Sequence, residues 1–431
     1  MMDGLLPVSA DGYNLFAAFS RLRAPGVRIV GWGTGSVFEY FHERHPFPLE
    51  YLVDNDSTRW GDQRHGLRIE SPDRLLEEDP SRVLVIIYSG AWMEILSGGQ
   101  SLAGLIAMPA SALLAGPPEL RRLRRAAELA AAPIARGQRL AKDAIVVQGP
   151  FVDGMTPQVL RSMRAAHGTN LIVLSTWRDT DAARLDEVRD LVDEIVLSEM
   201  PATRGIQNRN CQIVSTAAGV ARARACGART ILKTRTDLAV LAPDVFEHGR
   251  QLLASVDCGK ARALGLRSRI LVPSNFTRKF LPYHPSDLVM LGDADDLAEY
   301  WAAPLDPRNG SLTAPEWMKL SLASLAIAGQ PAEGYLGTQF CRRLGRPVTG
   351  TLADSWAFYR DLFVVTDNDW FELLWLKNLM LPDATLSQGP RQLVHHAFWR
   401  RLVAGDPQLE RDLREINPDA IGLRDLNGAA A

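Results

Sequence analysis

The sequence predicts an α/β protein made of a parallel-sheet domain, a second α/β domain and a mainly helical C-terminal region. Two blocks of short β-branched runs alternate with helical segments, the pattern of parallel strands joined by crossover helices. An Arg- and Ala-rich helical stretch separates the blocks. The chain has 431 residues, 46% of them hydrophobic and 23% charged, which suits a soluble globular protein with more than one core.

The first block reads VRIVGWG, SVFEYFHERH, LEYLVDND, PDRLLEED and RVLVIIYSG in strand–helix alternation, which predicts a domain over residues 1–116. The apolar run from Leu102 to Gly116 is too short to span a bilayer and is broken at Pro109, so a buried junction segment is expected. Residues 117–141 read as a connecting helix interrupted at Pro133. The second block, over 142–315, runs AIVVQGPF, TPQVLRSMRAAH, NLIVLSTW, EIVLSEM, CQIVSTAAGVARARACG and TILKTRTDL. Over 316–431, WMKLSLASLAIAG and WFELLWLKNLML read as amphipathic or buried helices, with Trp370, Trp375 and Trp399 as core residues.

Charge excludes one class of function. With 48 Lys and Arg against 50 Asp and Glu, the net charge of -2 gives no field for a dedicated nucleic-acid binder. Cys211, Cys226, Cys258 and Cys341 form no CxxC pair, and His395–His396 has no third ligand nearby, so neither a disulfide framework nor a zinc site is expected. The N-terminal segment lacks a basic region followed by an apolar core, so a cytoplasmic location is expected, with at most peripheral membrane contact.

In VRIVGWGTGS, Gly31, Gly33 and Gly35 sit where a strand gives way to a helix, a geometry that admits a phosphate at the helix N-terminus. Asp54 ends the next strand, where an acid would meet a ribose hydroxyl. Ser36 stands where a dinucleotide fingerprint has its last glycine, so the alternative is a Rossmann-like domain with a glycine turn and no dinucleotide. The positions Asp54, Asn55, Trp60, Gly61, Gly66, Ser71 and Pro72 resemble the small Rossmann-like domains attached to sugar-modifying enzymes of bacterial glycan pathways. No His, Cys or Lys is placed for hydride transfer, which argues against a dehydrogenase.

In the second block, strand ends deliver Gln148, Gly149 and Pro150, then Ser175, Thr176 and Trp177, to the edge where open α/β sheets collect ligands. Trp177 reads either as packing or as contact. Lys233, Arg235 and Asp237 alternate with Thr234 and Thr236, so a period of two projects the three charges to one side. A diphosphate with a divalent cation would pair Lys and Arg with phosphate oxygens and Asp with the metal. The alternative is an Arg–Asp ion pair closing the strand end. His284 and Asp287, after Pro282, could share one face of a turn as base and orienter toward an acceptor hydroxyl, with a structural role for Asp287 as the alternative.

V-V-Q-G-P-F, L-S-T-W, N-x-N-x-Q-I-V-S-T, K-T-R-T-D and Y-H-P-S-D, in this order between Ala144 and Leu297, resemble the motifs of the WavE family of lipopolysaccharide-synthesis proteins. The resemblance implies a GT-A-like fold and a glycosyltransferase that moves a sugar from a nucleotide-sugar donor to a glycan or glycolipid acceptor, lipopolysaccharide core or related. It implies a D-x-D-type carboxylate at a strand end that binds a divalent cation, Mn or Mg. That role falls on Asp237, with Arg235 beside it and one carboxylate where D-x-D has two. Asn208, Asn210, Gln212, Ser215 and Thr216 match a second polar motif, in which Cys211 takes the place of an Arg, and Tyr283, His284 and Asp287 match a third. Such a protein would work at the inner face of the inner membrane. The alternative is a catalytically silent nucleotide-sugar-binding or scaffold protein of the same pathway.

Overall fold

The strand runs that the sequence marks by β-branched residues are the buried centres of two sheets. The computed structural model describes residues 18, 21–22, 24–44, 46–89, 92, 95, 104–114, 117–131, 140–308, 331–377, 393–409 and 411. The chain divides into two compact units, residues 1–131 with 377–380 and residues 132–376 with 381–431.

The first unit contains β1 (Arg28–Trp32), α1 (Ser36–Arg44), β2 (Leu52–Val53), β3 (Gln63–Arg64), β4 (Leu67–Glu70), β5 (Val83–Ile87), β6 (Ile106–Pro109) and α2 (Pro117–Ala131). The sheet order is β3-β4-β2-β1-β5-β6, parallel except for the β3–β4 hairpin. VLVII in β5 is buried throughout, as a central parallel strand covered on both faces must be. The segment PDRLLEED, expected as an α-helix, is a 3-10 helix over Pro72–Glu77 in which the Ser71 hydroxyl accepts from the Asp73 N–H. The stretch expected to connect the domains is α2, which falls in the first unit, and Pro133 lies outside the described residues.

The second unit is built on β7 (Leu140–Gln148), α3 (Thr156–Ala166), β8 (Asn170–Trp177), α4 (Ala182–Val188), β9 (Glu194–Ser198), α5 (Arg209–Ala225), β10 (Thr230–Arg235) and β11 (Leu238–Val240). It continues through α6 (Val245–Ala254), α7 (Gly259–Ala263), β12 (Ile270–Pro273), β13 (Met290–Asp293), α8 (Ala294–Trp301), α9 (Ala332–Arg343), α10 (Leu352–Leu362), β14 (Phe363–Thr366), α11 (Asn368–Phe371), β15 (Leu373–Trp375) and α12 (His396–Ala404). The main sheet runs β14-β12-β13-β10-β7-β8-β9, and β13 alone opposes its neighbours. β11 turns back from the end of β10 and pairs with β15. Chain order puts β8 on one side of β7 and β10 on the other, which opens a crevice beyond the C-terminal ends of β7 and β10. α5 lies across β7 and β8, and a β-carbon on Gly219 would stand 2.5 Å from Val146 Cγ1, so only glycine allows this approach.

The C-terminal region adds two strands to its helices. FVVT in β14 is fully buried against β12. WFELLWLKNLML was expected to be helical, but its helix stops after one turn at Glu372, whose φ is 46°, and LLW pairs with β11. A short apolar run carries no periodicity to separate the two outcomes, and the waiting edge of β11 decides it. WMKLSLASLAIAG lies outside the described residues. Trp375 and Trp399 are buried, whereas Trp370 is half-buried. Among the described residues no helix is long and apolar enough to cross a membrane.

Candidate functional site

The ends of β7 and β10 are laced together. Arg235 lies opposite Gln148 in the ladder, the Thr236 N–H donates to the Gln148 carbonyl at 3.1 Å, and the Thr236 hydroxyl donates to the Pro150 carbonyl at 2.7 Å. Gly149 has φ +132°, and a β-carbon there would meet the Thr236 hydroxyl oxygen at 2.8 Å, so this crossing requires glycine. The side chains expected to face a donor turn inward here. The Ser215 hydroxyl lies 2.8 Å from Gln148 Oε1, and the Ser175 hydroxyl donates to the Ser215 carbonyl at 2.6 Å. Thr176 and Trp177 are buried as well. These residues form the floor of the crevice and leave its lining to the next turn.

That turn is R-T-D. Arg235 Nε and Nη2 donate to the two carboxylate oxygens of Asp237 at 2.9 and 3.0 Å, a side-on bidentate pair. The guanidinium carbon lies 5.8 Å from the ring centre of Trp375 on β15. The Arg235 side chain is 23% exposed and that of Asp237 only 6%, so solvent meets the cation first. Burial pulls the Arg235 pKa down, but the Asp237 carboxylate outweighs it and holds the guanidinium above its ordinary value.

Lys233 projects to the same side without reaching the crevice. Its ammonium is buried, donates to the backbone carbonyl of Asp287 and lies 4.9 Å from the Trp301 ring centre. Burial lowers its pKa to about 8, with the Asp287 charge opposing the shift. The expected phosphate contact from Lys233 is therefore replaced by an internal one.

Beneath R-T-D lies a group of buried charges. Asp287 is 3% exposed, and its carboxylate has no hydrogen bond among the described residues. Burial and the neighbouring Glu333 charge raise its pKa to about 6. His284 was expected to work with Asp287, but it faces elsewhere. Its Nδ1 lies 2.9 Å from the Phe276 carbonyl and its Nε2 lies 3.4 Å from Glu333 Oε2. Burial and Arg278 push its pKa down to about 3, so the imidazole is neutral. A carbonyl only accepts, so Nδ1 carries the proton and Nε2 turns its lone pair to Glu333. Burial raises the Glu333 pKa above the ordinary carboxylate value.

Glu333 was not legible as a site residue, although an acid two residues after Pro331 on an otherwise apolar helix start was a signal. It is brought to His284 by close docking of α9, because a β-carbon on Gly337 would overlap the Tyr283 carbonyl oxygen. The start of α9 is held from the other side by Gln207, whose side-chain oxygen accepts from the Ala332 N–H at 3.0 Å. Phe276 and Tyr283, with φ of 65° and 53°, carry the left-handed turns that bring this loop back on itself.

Residues at the start of α5 divide between surface and core. Asn208 is exposed with φ 59°. Asn210 is buried, its amide donating to the Asp306 carbonyl at 2.7 Å and to the Thr203 carbonyl at 2.9 Å while its oxygen accepts from the Asp306 N–H at 2.7 Å. A fully bonded amide has nothing left for a donor, so Asn210 is a clamp. Arg209, the nearest arginine to Cys211, is buried against Asp306 at 3.2 Å and over the Tyr335 ring. Gln212 is half-buried, and its side-chain oxygen has no hydrogen-bond partner among the described residues.

In the first unit, Gly33 has φ +103° and its missing β-carbon would stand 2.8 Å from the Tyr88 carbonyl oxygen, while one on Gly31 would stand 2.6 Å from Leu52. Gly35 faces open space. The Asp54 carboxylate accepts from the Thr34 N–H at 2.9 Å and from the Thr34 hydroxyl, and Arg59 lies 3.4 Å away. It therefore fastens the glycine turn from within instead of presenting itself to a ribose.

A divalent cation at Asp237 does not fit the residues present. Both oxygens of the carboxylate face the Arg235 fork, and among the described residues no group of three or more His, Cys, Asp or Glu could hold a metal ion.

Residues 144–344 match the family model described as WavE lipopolysaccharide synthesis. Over these residues, less than half of the chain, the second unit is similar to the WavE family. The match runs from β7 to the end of α9 and takes in R-T-D, Y-H-P-S-D and Glu333, so the matched segment contains the whole buried charge group. It ties the protein to lipopolysaccharide synthesis. No curated protein matches the chain.

Proposed function

We propose that this protein is a glycosyltransferase of GT-A-like architecture that moves a sugar from a nucleotide-sugar donor to a glycan or glycolipid acceptor of lipopolysaccharide synthesis. The observation that carries the reading is the half-exposed Arg235 cation at the end of β10, beside the crevice where open α/β sheets collect ligands. A leaving nucleoside diphosphate gains negative charge in the transition state, and a fixed guanidinium acts more strongly there than in the ground state. On the acceptor side, Asp287 has the raised pKa that suits a general base near neutral pH. His284 positions Glu333 beside it. The protein would work as a peripheral protein on the inner face of the inner membrane.

Donor turnover by the purified protein, measured over a panel of UDP-, GDP-, CDP- and dTDP-sugars, tests the reading. Release of nucleoside diphosphate that is lost in Asp287→Asn supports it. A second reading, a catalytically silent nucleotide-sugar-binding or scaffold protein, is favoured by the inward-turned Lys233 and Asn210. Donor binding without any turnover would select it.

A further inference from the structure

We propose that Arg235 takes the place of a divalent cation in this site: its guanidinium is the fixed counter-charge for a nucleoside diphosphate, and Asp237 is its positioning residue and not a metal ligand. This rests on the nucleotide-sugar reading above. Asp237 engages Nε and Nη2 side-on, at 2.9 and 3.0 Å, which leaves Nη1 without a hydrogen bond among the described residues and its two N–H groups available to phosphate oxygens. The Trp375 ring, 5.8 Å from the guanidinium carbon, backs the fork on one side. Exposure falls on the arginine, 23% against 6% for the acid, so an anion arriving from solvent meets the cation without displacing the pair.

The neighbourhood disfavours a metal for a second reason. Lys233 and Arg235, from the same strand, both act electrostatically on this pocket, and each raises the cost of further positive charge. A divalent ion on Asp237 would have to displace one cation and sit near the other. The other acids do not complete a ligand set, since His284 faces Glu333 and the Lys233 ammonium packs onto the Asp287 backbone. A planar fork held bidentate engages both oxygens of that carboxylate. One acid in R-T-D is enough for this task, whereas a metal would call for more.

The test is calorimetric titration of the full-length protein with UDP, GDP and CDP, in EDTA and again in Mn or Mg, with inorganic pyrophosphate as the base-free probe. The expected result is a diphosphate affinity that changes by no more than about twofold between EDTA and metal, since no ion bridges the contact. Arg235→Lys, which keeps charge but loses the fork, should weaken binding by about tenfold or more. Asp237→Asn should weaken it less and leave it equally indifferent to metal, a response that mere loss of stability would not produce. Binding that appears only with Mn or Mg and disappears in Asp237→Asn overturns the proposal. Absence of diphosphate binding in every condition overturns instead the nucleotide-sugar reading on which it stands. The comparison of EDTA with metal uses the unaltered protein, so it holds even if a variant fails to fold.

Discussion

Gly337 packs its α-carbon against the carbonyl of Tyr283 so closely that no β-carbon fits between them. This one contact sets the depth at which α9 docks and thereby the 3.4 Å approach of Glu333 to His284. Gly337→Ala must push a helix away from backbone, which cannot yield as a side-chain tip can. A loss of about 3 kcal/mol or more is expected in urea unfolding, with turnover reduced in the remaining folded protein because Glu333 retreats. Unchanged stability would show that α9 docks elsewhere.

The rate of donor turnover should rise with pH through about 6, where Asp287 loses its proton, and level off above it. Asp287→Asn should lower the rate by about a hundredfold or more and remove that limb of the profile. A profile that keeps its limb in the variant would assign the base to Glu333.

His284 gives the fold a sensitivity to acid. Its folded pKa of about 3 lies below the unfolded value of 6.5, so between these limits the unfolded chain binds more protons and stability rises with pH. The contribution is whole above pH 6.5 and is lost as pH falls toward 3. At pH 5 the loss from this group is about 2 kcal/mol. Unfolding curves at pH 5 and 7 measure it, and in His284→Gln, whose amide stays neutral, the difference should shrink.

Asn210 separates structure from ligand contact. Asn210→Ala removes three short hydrogen bonds at a buried place, takes the acceptor from the Asp306 N–H and leaves the Asp306 carbonyl with the longer Thr203 hydroxyl contact at 3.4 Å. A loss of about 2–4 kcal/mol is expected, with diphosphate affinity unchanged in calorimetry at a temperature where the variant is folded. A selective loss of affinity at full stability would restore Asn210 to the donor site.

The central strands of the first sheet, β7 to β10 of the second and the position of R-T-D could be read from the chain because β-branched runs, strand-end polarity and alternation are local signals, whereas β12, β13 and β14 were not read as strands. The direction of a polar side chain was harder. Lys233 and Arg235 share a face by period, yet one reaches Trp301 and a backbone carbonyl while the other reaches the surface, and only the packing of α8 and the 282–287 loop decides this. Asn210 and Asn208 looked alike in the motif, but the chain near Asp306 covers one of them. Glu333 was hidden because its partner is 49 residues away in sequence, joined through the glycine contact of α9. Strand β15 was hidden by a helical-looking run of Leu and Trp whose pairing partner lies far upstream.

The tryptophan that backs Arg235 comes from β15, downstream of residue 344, where the family match stops. The crevice is thus completed by a part of the chain that the shared motif does not contain. A chain cut at that boundary would keep every motif residue and still lose β14 from beside β12 and β15 from beside β11, baring two strand edges and leaving the guanidinium with its ring gone. Exchange of this C-terminal stretch between related proteins should therefore retune the grip on a donor without altering one motif residue.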